Sequence, residues 1–599
     1  MSQTTPKWVD RATRYLFFSG KGGVGKTSTA CATAVALADA GERVLLVSTD
    51  PASNLASVLG AELTRVPKPI PGVPGLFALN IDPQQAAEAY RERVVGPYRG
   101  ILPTESVAAI EEQLSGACTV EVAAFDEFTA LLGGGGDDGY DHVVFDTAPS
   151  GHTLRLLSLP AAWSSFLDDN PGGASCLGPA SQLESHRAHY DATVKRLADP
   201  TQTTLVLVSR PEADALREAD RTLGELAKQG MKNAHLVING MPSAHSTDEL
   251  ALALERVALR AMARMPARLT TLPLLVVPLR PGNILGLDAL RAFFSARPSA
   301  PQSLGAKRVL PATSPGLSEF TNDLARAGHG LVMVLGKGGV GKTVVATALA
   351  VEFASRGLRV HLTTTDPAAH VQETLRGRVQ NLRVSRIDPE VETRTYRSQV
   401  LAEAAKDLDA DALALLKEDL RSPCTEEVAV FHAFSRAIAD AEHEIVVVDT
   451  APTGHTLLLL DATGSYHREV MKKLGTDARL TPMARLRDPD FTRVVVVTLP
   501  ETTPIEEASG LVADLARAGI GCAGWVVNRS LNAAVSTDPL LCARAEAEAP
   551  LLEEVAKLTS TLAILPQLAS APVGAEKLLA LARGRVVDAR GSASQSVFP

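Results

Sequence analysis

Apolar and polar positions along this 599-residue chain fall into a pattern that is written twice. In the first half the uninterrupted apolar runs are Tyr15-Leu16-Phe17-Phe18, Val44 to Val47, Val143-Val144-Phe145, Leu205 to Val208, Leu236-Val237-Ile238 and Leu274 to Val277. In the second they are Leu331 to Leu335, Val360 to Thr363, Ile445 to Val448, Val494 to Val497, Trp525 to Val527 and Leu562 to Leu565. These runs have strand length, and the stretches between them, such as Thr29 to Ala40 and Val345 to Ser355, are rich in helix formers. Strands without polar alternation are buried on both faces. The pattern therefore predicts an α/β protein built on mainly parallel sheets covered by helices on both faces. In such sheets ligands bind beyond the carboxyl ends of the strands.

The repeat extends beyond hydropathy. Thr49-Asp50-Pro51-Ala52 returns as Thr365-Asp366-Pro367-Ala368, and Ile81-Asp82-Pro83 as Ile387-Asp388-Pro389. Cys118-Thr119, with Glu121, Ala123 and Phe125, returns as Cys424-Thr425, with Glu427, Ala429 and Phe431. Asp146-Thr147-Ala148-Pro149-Ser150-Gly151-His152-Thr153 returns as Asp449-Thr450-Ala451-Pro452-Thr453-Gly454-His455-Thr456. The offset between copies shortens along the chain, as small loop deletions in a duplicated scaffold would produce. The length is too great for one core, and the halves are read as 1–298 and 321–585. A Pro- and Ser-rich linker at 299–320 joins them, and 586–599 is a flexible tail. Trp163 to Leu197, between two strands, predicts a helical subdomain outside the sheet.

At the end of the first strand of each half stands G-x-x-x-x-G-K-[ST]. The residues are Gly20, Lys21, Gly22, Gly23, Val24, Gly25, Lys26 and Thr27, followed by Ser28. They recur as Gly336, Lys337, Gly338, Gly339, Val340, Gly341, Lys342 and Thr343, followed by Val344. Between a strand and a helix this is a phosphate-binding loop. Its glycines let backbone N–H groups approach phosphate oxygens, and the helix N-terminus adds its dipole. Lys26 and Lys342 are expected on the β- and γ-phosphates, and Thr27 and Thr343 on Mg²⁺. Asp146 and Asp449 end strands, as Mg²⁺-holding aspartates do, although Asp-Thr-Ala-Pro is also an ordinary turn. Asp50 and Asp366 end strands too, where a carboxylate can contact Mg²⁺ or orient the attacking water. Asn239 and Asn528 follow later strands and are candidate adenine contacts, or turn residues.

Composition narrows the setting. A net charge of −9, with no basic block, argues against a nucleic-acid partner. No apolar run is long enough for a transmembrane segment, and the polar N-terminus lacks a signal core, so a cytoplasmic protein is expected. Six cysteines without a CxxC pair indicate neither a disulfide scaffold nor a zinc knuckle. Cys118 and Cys424 occupy matching repeat positions, and Cys176 lies in the helical interval. Such thiols with His152 and His455 suit a soft, thiophilic centre, or are small buried hydrophobes. For Cys31, Cys522 and Cys542 the second reading is preferred.

The K-G-G-V-G-K-T loops, in which Lys21 and Lys337 directly follow the first glycine, resemble those of the deviant P-loop group of dimerising ATPases. With T-D-P-A, C-T-x-E-x-A-x-F and D-T-A-P-[ST]-G-H-T, nearly the whole chain resembles the arsenical pump-driving ATPase family. The resemblance implies two P-loop domains arranged as a pseudo-twofold intramolecular dimer, with Lys21 and Lys337 acting catalytically at the opposite nucleotide. It implies As(III) or Sb(III) bound by Cys118, Cys176 and Cys424, with His152, His455 and Ser422 as further contacts. ATP hydrolysis with Mg²⁺, stimulated by the metalloid, would then energise an integral-membrane arsenite efflux carrier. The protein would meet that carrier at the inner face of the membrane, and a chaperone is a possible source of the metalloid. The alternative is a targeting ATPase of the same superfamily that shields tail-anchored membrane proteins. Such factors are usually single units, many with CxxC, and use a methionine-rich groove. This chain is a tandem, and its candidate helical intervals, Trp163 to Leu197 and Ser465 to Leu486, hold only Met471 and Met483 as methionines.

Overall fold

The computed structural model describes residues 6–49, 55–99, 139–147, 193–295, 322–366, 371–406, 424–450 and 482–584, with scattered positions in 103–132, 317–320 and 409–420. The chain divides into two compact units, Met1–Thr247 with Ala251–Gln302, and Ser303–Pro599 with Asp248–Leu250. Most of the 299–320 segment, the 586–599 tail and nearly all of the helical interval lie outside the described residues.

In the first unit the strands are β1 (Tyr15–Ser19), β2 (Val44–Ser48), β3 (Lys68–Pro69), β4 (Leu76–Asn80), β5 (His142–Asp146), β6 (Thr203–Ser209), β7 (Ala234–Met241) and β8 (Leu274–Pro278). They form one sheet in the order β3-β4-β2-β5-β1-β6-β7-β8. Every pairing is parallel except β3 with β4. The second unit repeats the plan with β9 (Gly330–Leu335), β10 (Val360–Thr364), β11 (Leu382–Arg386), β12 (Ile445–Asp449), β13 (Thr492–Thr498), β14 (Cys522–Ser530) and β15 (Leu562–Pro566). Its order is β11-β10-β12-β9-β13-β14-β15, parallel throughout. The chain order reverses about β1 and β9, the strands that carry the phosphate loops. Open α/β sheets bind ligands at such a switch point.

Each sheet buries both faces, which is why its central strands carry no polar alternation. On one face of the first sheet, Leu16, Phe18, Leu46 and Val206 pack against α1 (Lys26–Asp39). On the other, Phe17, Phe145, Leu207 and Leu236 form a second core, where the Phe17 and Phe145 rings stack at 4.6 Å. The second unit has the same two cores. Val332, Val334 and Val447 meet the helix α2 (Lys342–Ser355) on one side, and Met333, Val448, Val496 and Trp525 pack on the other. Each fully buried Val or Leu contributes about 1.5–3 kcal/mol relative to exposure. The α/β class expected from the apolar runs is therefore the observed one.

Two details differ from the hydropathy reading. The run Leu274 to Val277 is a strand, but Leu274 and Val276 are exposed at 49% and 43%, because β8 is a sheet edge with one open face. Strands β3, β4 and β11 are additional to the apolar runs. β11 reads Leu-Arg-Val-Ser-Arg because it too is an edge, and its alternation reflects half-exposure.

Candidate nucleotide sites

Each phosphate loop is held by backbone packing that tolerates only glycine. A Cβ on Gly20 would collide with the Val208 carbonyl oxygen of β6, and one on Gly336 with that of Val497 in β13. Gly25 and Gly341, the residues before the helices, have φ of 90° and 96°, in the left-handed region. A Cβ there would also strike the side-chain amide of Asn239 or Asn528. The loop consequently lies flat across the tips of the neighbouring strands and turns straight into the helix.

The two asparagines do more than mark a turn. Asn239 Nδ2 donates to the Val24 carbonyl at 2.9 Å, and Asn528 Nδ2 to the Val340 carbonyl at 2.9 Å. The ends of β7 and β14 thereby fix the middle of each loop. Lys26 Nζ donates to the Lys21 carbonyl at 3.3 Å, and Lys342 Nζ to the Lys337 carbonyl at 3.0 Å. Both lysines are buried, so the ammonium charge is held inside the loop where phosphate would sit. Thr27, Ser28, Thr343 and Val344 are half-buried at the helix starts.

Asp146 and Asp449 end β5 and β12, both next to the loop-bearing strand, and both are buried. Asp449 Oδ2 accepts from Thr343 Oγ1 at 2.8 Å and from Thr364 Oγ1 at 3.3 Å. The Thr364 hydroxyl in turn accepts from the backbone N–H of Asp366 at 3.1 Å. Burial pushes the Asp449 carboxyl up to about 6, against the opposing pull of the Lys342 ammonium and the Thr343 hydroxyl. Its Oδ1 is buried and has no hydrogen-bond partner among the described residues. A buried carboxylate with an open oxygen, beside a threonine hydroxyl and a second aspartate, is an oxygen-donor set that suits Mg²⁺. The strand-end segments are pinned alike in both units. Thr147 Oγ1 donates to the Phe18 carbonyl at 2.7 Å, and Thr450 Oγ1 to the Val334 carbonyl at 2.8 Å.

Three contacts break the repeat. Arg210, one residue past β6, donates through Nε to the Gly23 carbonyl at 3.2 Å, whereas Leu499 stands at the matching position of the second unit. Lys337 forms an ion pair with Glu507. In the second unit alone, Glu548 accepts from Ser530 Oγ and from the N–H groups of Leu531 and Asn532, stapling the segment that follows Asn528. Neither Arg210 nor Glu507 belongs to a motif, which is why sequence reasoning passes over both.

Asp50, Cys118, His152, Cys176, Ser422 and His455 lie outside the described residues. Cys424 opens the helix Cys424–Asp440, and its side chain is likewise outside them. Burial pushes the Cys31 thiol well up, with Asp146 adding to it, and burial also raises Cys522 and Cys542. Cys31 lies buried in the first core, as a small hydrophobe would, whereas Cys522 and Cys542 are half-buried.

A family model described as anion-transporting ATPase matches residues 13–296, 329–487 and 461–584. The arsenical pump-driving ATPase of Acidiphilium multivorum is 53% identical over 573 residues, 94% of this chain and 98% of that protein. An arsenical pump-driving ATPase of Escherichia coli is 54% identical over 577 residues, with 95% and 98% covered. The ATPase get3 of Schizosaccharomyces pombe is 28% identical over 319 residues, covering 49% of this chain and 91% of its own length.

Proposed function

The chain belongs to the anion-transporting ATPase family and is an ATPase, and from that premise we propose that it drives a membrane carrier for trivalent arsenic and antimony. The observation that carries this reading is the pairing of two complete phosphate cradles in one chain with full-length similarity to pump-driving ATPases. The relative named ATPase get3 aligns with 49% of the chain. Among the described residues no helix is long and apolar enough to cross a membrane.

In each site the loop N–H groups, with Gly20, Gly22, Gly23 and Gly25 or their counterparts, cradle the phosphates, and Lys26 or Lys342 neutralises them. Thr27 with Asp146, and Thr343 with Asp449, would hold Mg²⁺, with Asp50 or Asp366 near the ion. When bound, Mg²⁺ neutralises developing phosphate charge. Asp50 and Asp366 orient the attacking water, and Lys21 and Lys337 contribute a second cation to the transferring phosphoryl group. Asn239 and Asn528 set the loop shape beside the base. Cys118, Cys176 and Cys424, with His152, His455 and Ser422, are the proposed metalloid ligands. Their soft thiolates suit As(III) and Sb(III), which are here cargo and activator.

The test is ATP turnover measured with arsenite, antimonite and arsenate. Stimulation by the two trivalent species and none by arsenate is expected. Cys118→Ser and Cys424→Ser should each remove the stimulation and leave the basal rate. A chain unresponsive to all three would overturn the pump reading and favour membrane-protein targeting.

A further inference from the structure

The two lysines that follow the first glycine of each loop occupy equal places in sequence and unequal places in structure. Lys337 Nζ is paired with a carboxylate oxygen of Glu507, on the helix Thr502–Arg517. The Glu507 side chain is 4% exposed and that of Lys337 is 14% exposed. The other Glu507 oxygen is buried and has no hydrogen-bond partner among the described residues. A carboxylate so enclosed is costly to leave without its cation, so the ammonium is held in place rather than left to sample the loop mouth.

The first unit has the same glutamate and a different arrangement. Glu218, on the helix Ala213–Lys228, matches Glu507, but it pairs with Arg221 at 2.8 Å, three residues along the same helix. The position matching Arg221 is Gly510. Lys21 has no ion pair among the described residues. The arginine has taken up the glutamate, and the signature lysine is left unlatched.

We propose that Glu507 is a latch on Lys337, a positioning residue that withholds this lysine from phosphate until nucleotide displaces the carboxylate. The two sites then differ at rest: the first presents Lys21 ready, and the second presents Lys337 only after an exchange of one anion for another. This rests on the reading of Lys337 as a phosphate contact. The latch itself is a property of the nucleotide-free protein and has its own readout.

Two substitutions open the latch by different routes. Glu507→Gln removes its charge. Gly510→Arg supplies the competing arginine that the first unit already has, and a side chain at Gly510 meets open space. Arg221→Gly does the reverse, freeing Glu218 to take Lys21. The first readout is amine acylation of the nucleotide-free full chain, followed residue by residue by mass spectrometry. Lys337 should label more slowly than Lys21. Gly510→Arg should speed its labelling roughly fivefold, and Arg221→Gly should slow that of Lys21. The second readout is basal ATP turnover, which Gly510→Arg should raise, also roughly fivefold. Unchanged labelling of Lys337 in Gly510→Arg, whatever Glu507→Gln does to folding, overturns the latch. Faster labelling with no gain in turnover overturns its regulatory role. Lys337→Ala with full turnover would instead overturn the phosphate-contact reading and leave the ion pair standing.

Discussion

At the scale of single residues, the loop geometry depends on contacts that the motif letters do not mention. Asn528 Nδ2 holds the Val340 carbonyl at 2.9 Å, in a space that exists because residue 341 lacks a Cβ. Asn528→Ala removes one buried hydrogen bond and should weaken ATP binding roughly fivefold, about 1 kcal/mol, with turnover at saturation little changed. Gly341→Ala should be worse, since it combines a φ of 96° with a collision, and nucleotide binding by the second site should be lost. Equilibrium titration with a fluorescent ATP analogue measures both. His361, at the place of Leu45 in the first unit, is buried beside Ser385, Arg383, Asp440 and Glu444. Burial, then Arg383, lowers its pKa below the ordinary value of 6.5. The unfolded chain therefore takes up this proton first as pH falls. Stability is fully present above about pH 6.5 and is lost below it, down through the lowered value. Denaturant melts of the unaltered chain and of His361→Leu between pH 5 and 7.5 should differ by that loss. The comparison cancels the opposite trend of Asp449, whose raised carboxyl adds stability as pH falls below about 6.

At the scale of elements, each unit closes by bringing its last helix back to the phosphate-loop helix. Arg291 of Leu287–Arg291 forms a forked pair with Asp39 at 2.8 and 2.9 Å. In the second unit Glu352 is buried within α2 and is held by Arg356 at 3.0 Å and by Arg583, just past the helix Ala575–Ala582, at 2.8 Å. Replacing both arginines by alanine leaves that carboxylate buried without a cation, and should cost about 3 kcal/mol. Adding Glu352→Leu should recover most of the loss, because an apolar side chain suits the same place. Urea unfolding of these two variants beside the unaltered chain decides it. If the arginine pair costs nothing, the helix is held by Leu578 and Leu581 packing alone.

At the scale of the whole molecule, the chain is two compact units, each with its own switch point, glycine-rich loop and strand-end aspartate. A binding titration with Mg²⁺ and a non-hydrolysable ATP analogue should saturate at one nucleotide per loop. Gly25→Val or Gly341→Val should each remove one of them. A chain in which either change abolished both would show that the sites fold or bind as a single unit. The duplication, the strands that carry the loops and the strand–loop–helix setting of Gly20 to Thr27 and Gly336 to Thr343 are all legible in the sequence. Each depends on neighbours close in the chain: an apolar run long enough for a strand, a glycine where φ must be positive, a lysine one turn from it. The edge exposure of Leu274 and Val276, the asparagine ties, and the partition of Glu507 to Lys337 but Glu218 to Arg221 are decided by tertiary structure alone. Lys337 and Glu507 stand 170 residues apart, and Asn528 and Val340 are separated by 188. Such pairs form once the sheet has set the distance between strand tips. A buried charge then takes whichever partner the packing brings within reach, and a single arginine in place of a glycine changes that partner.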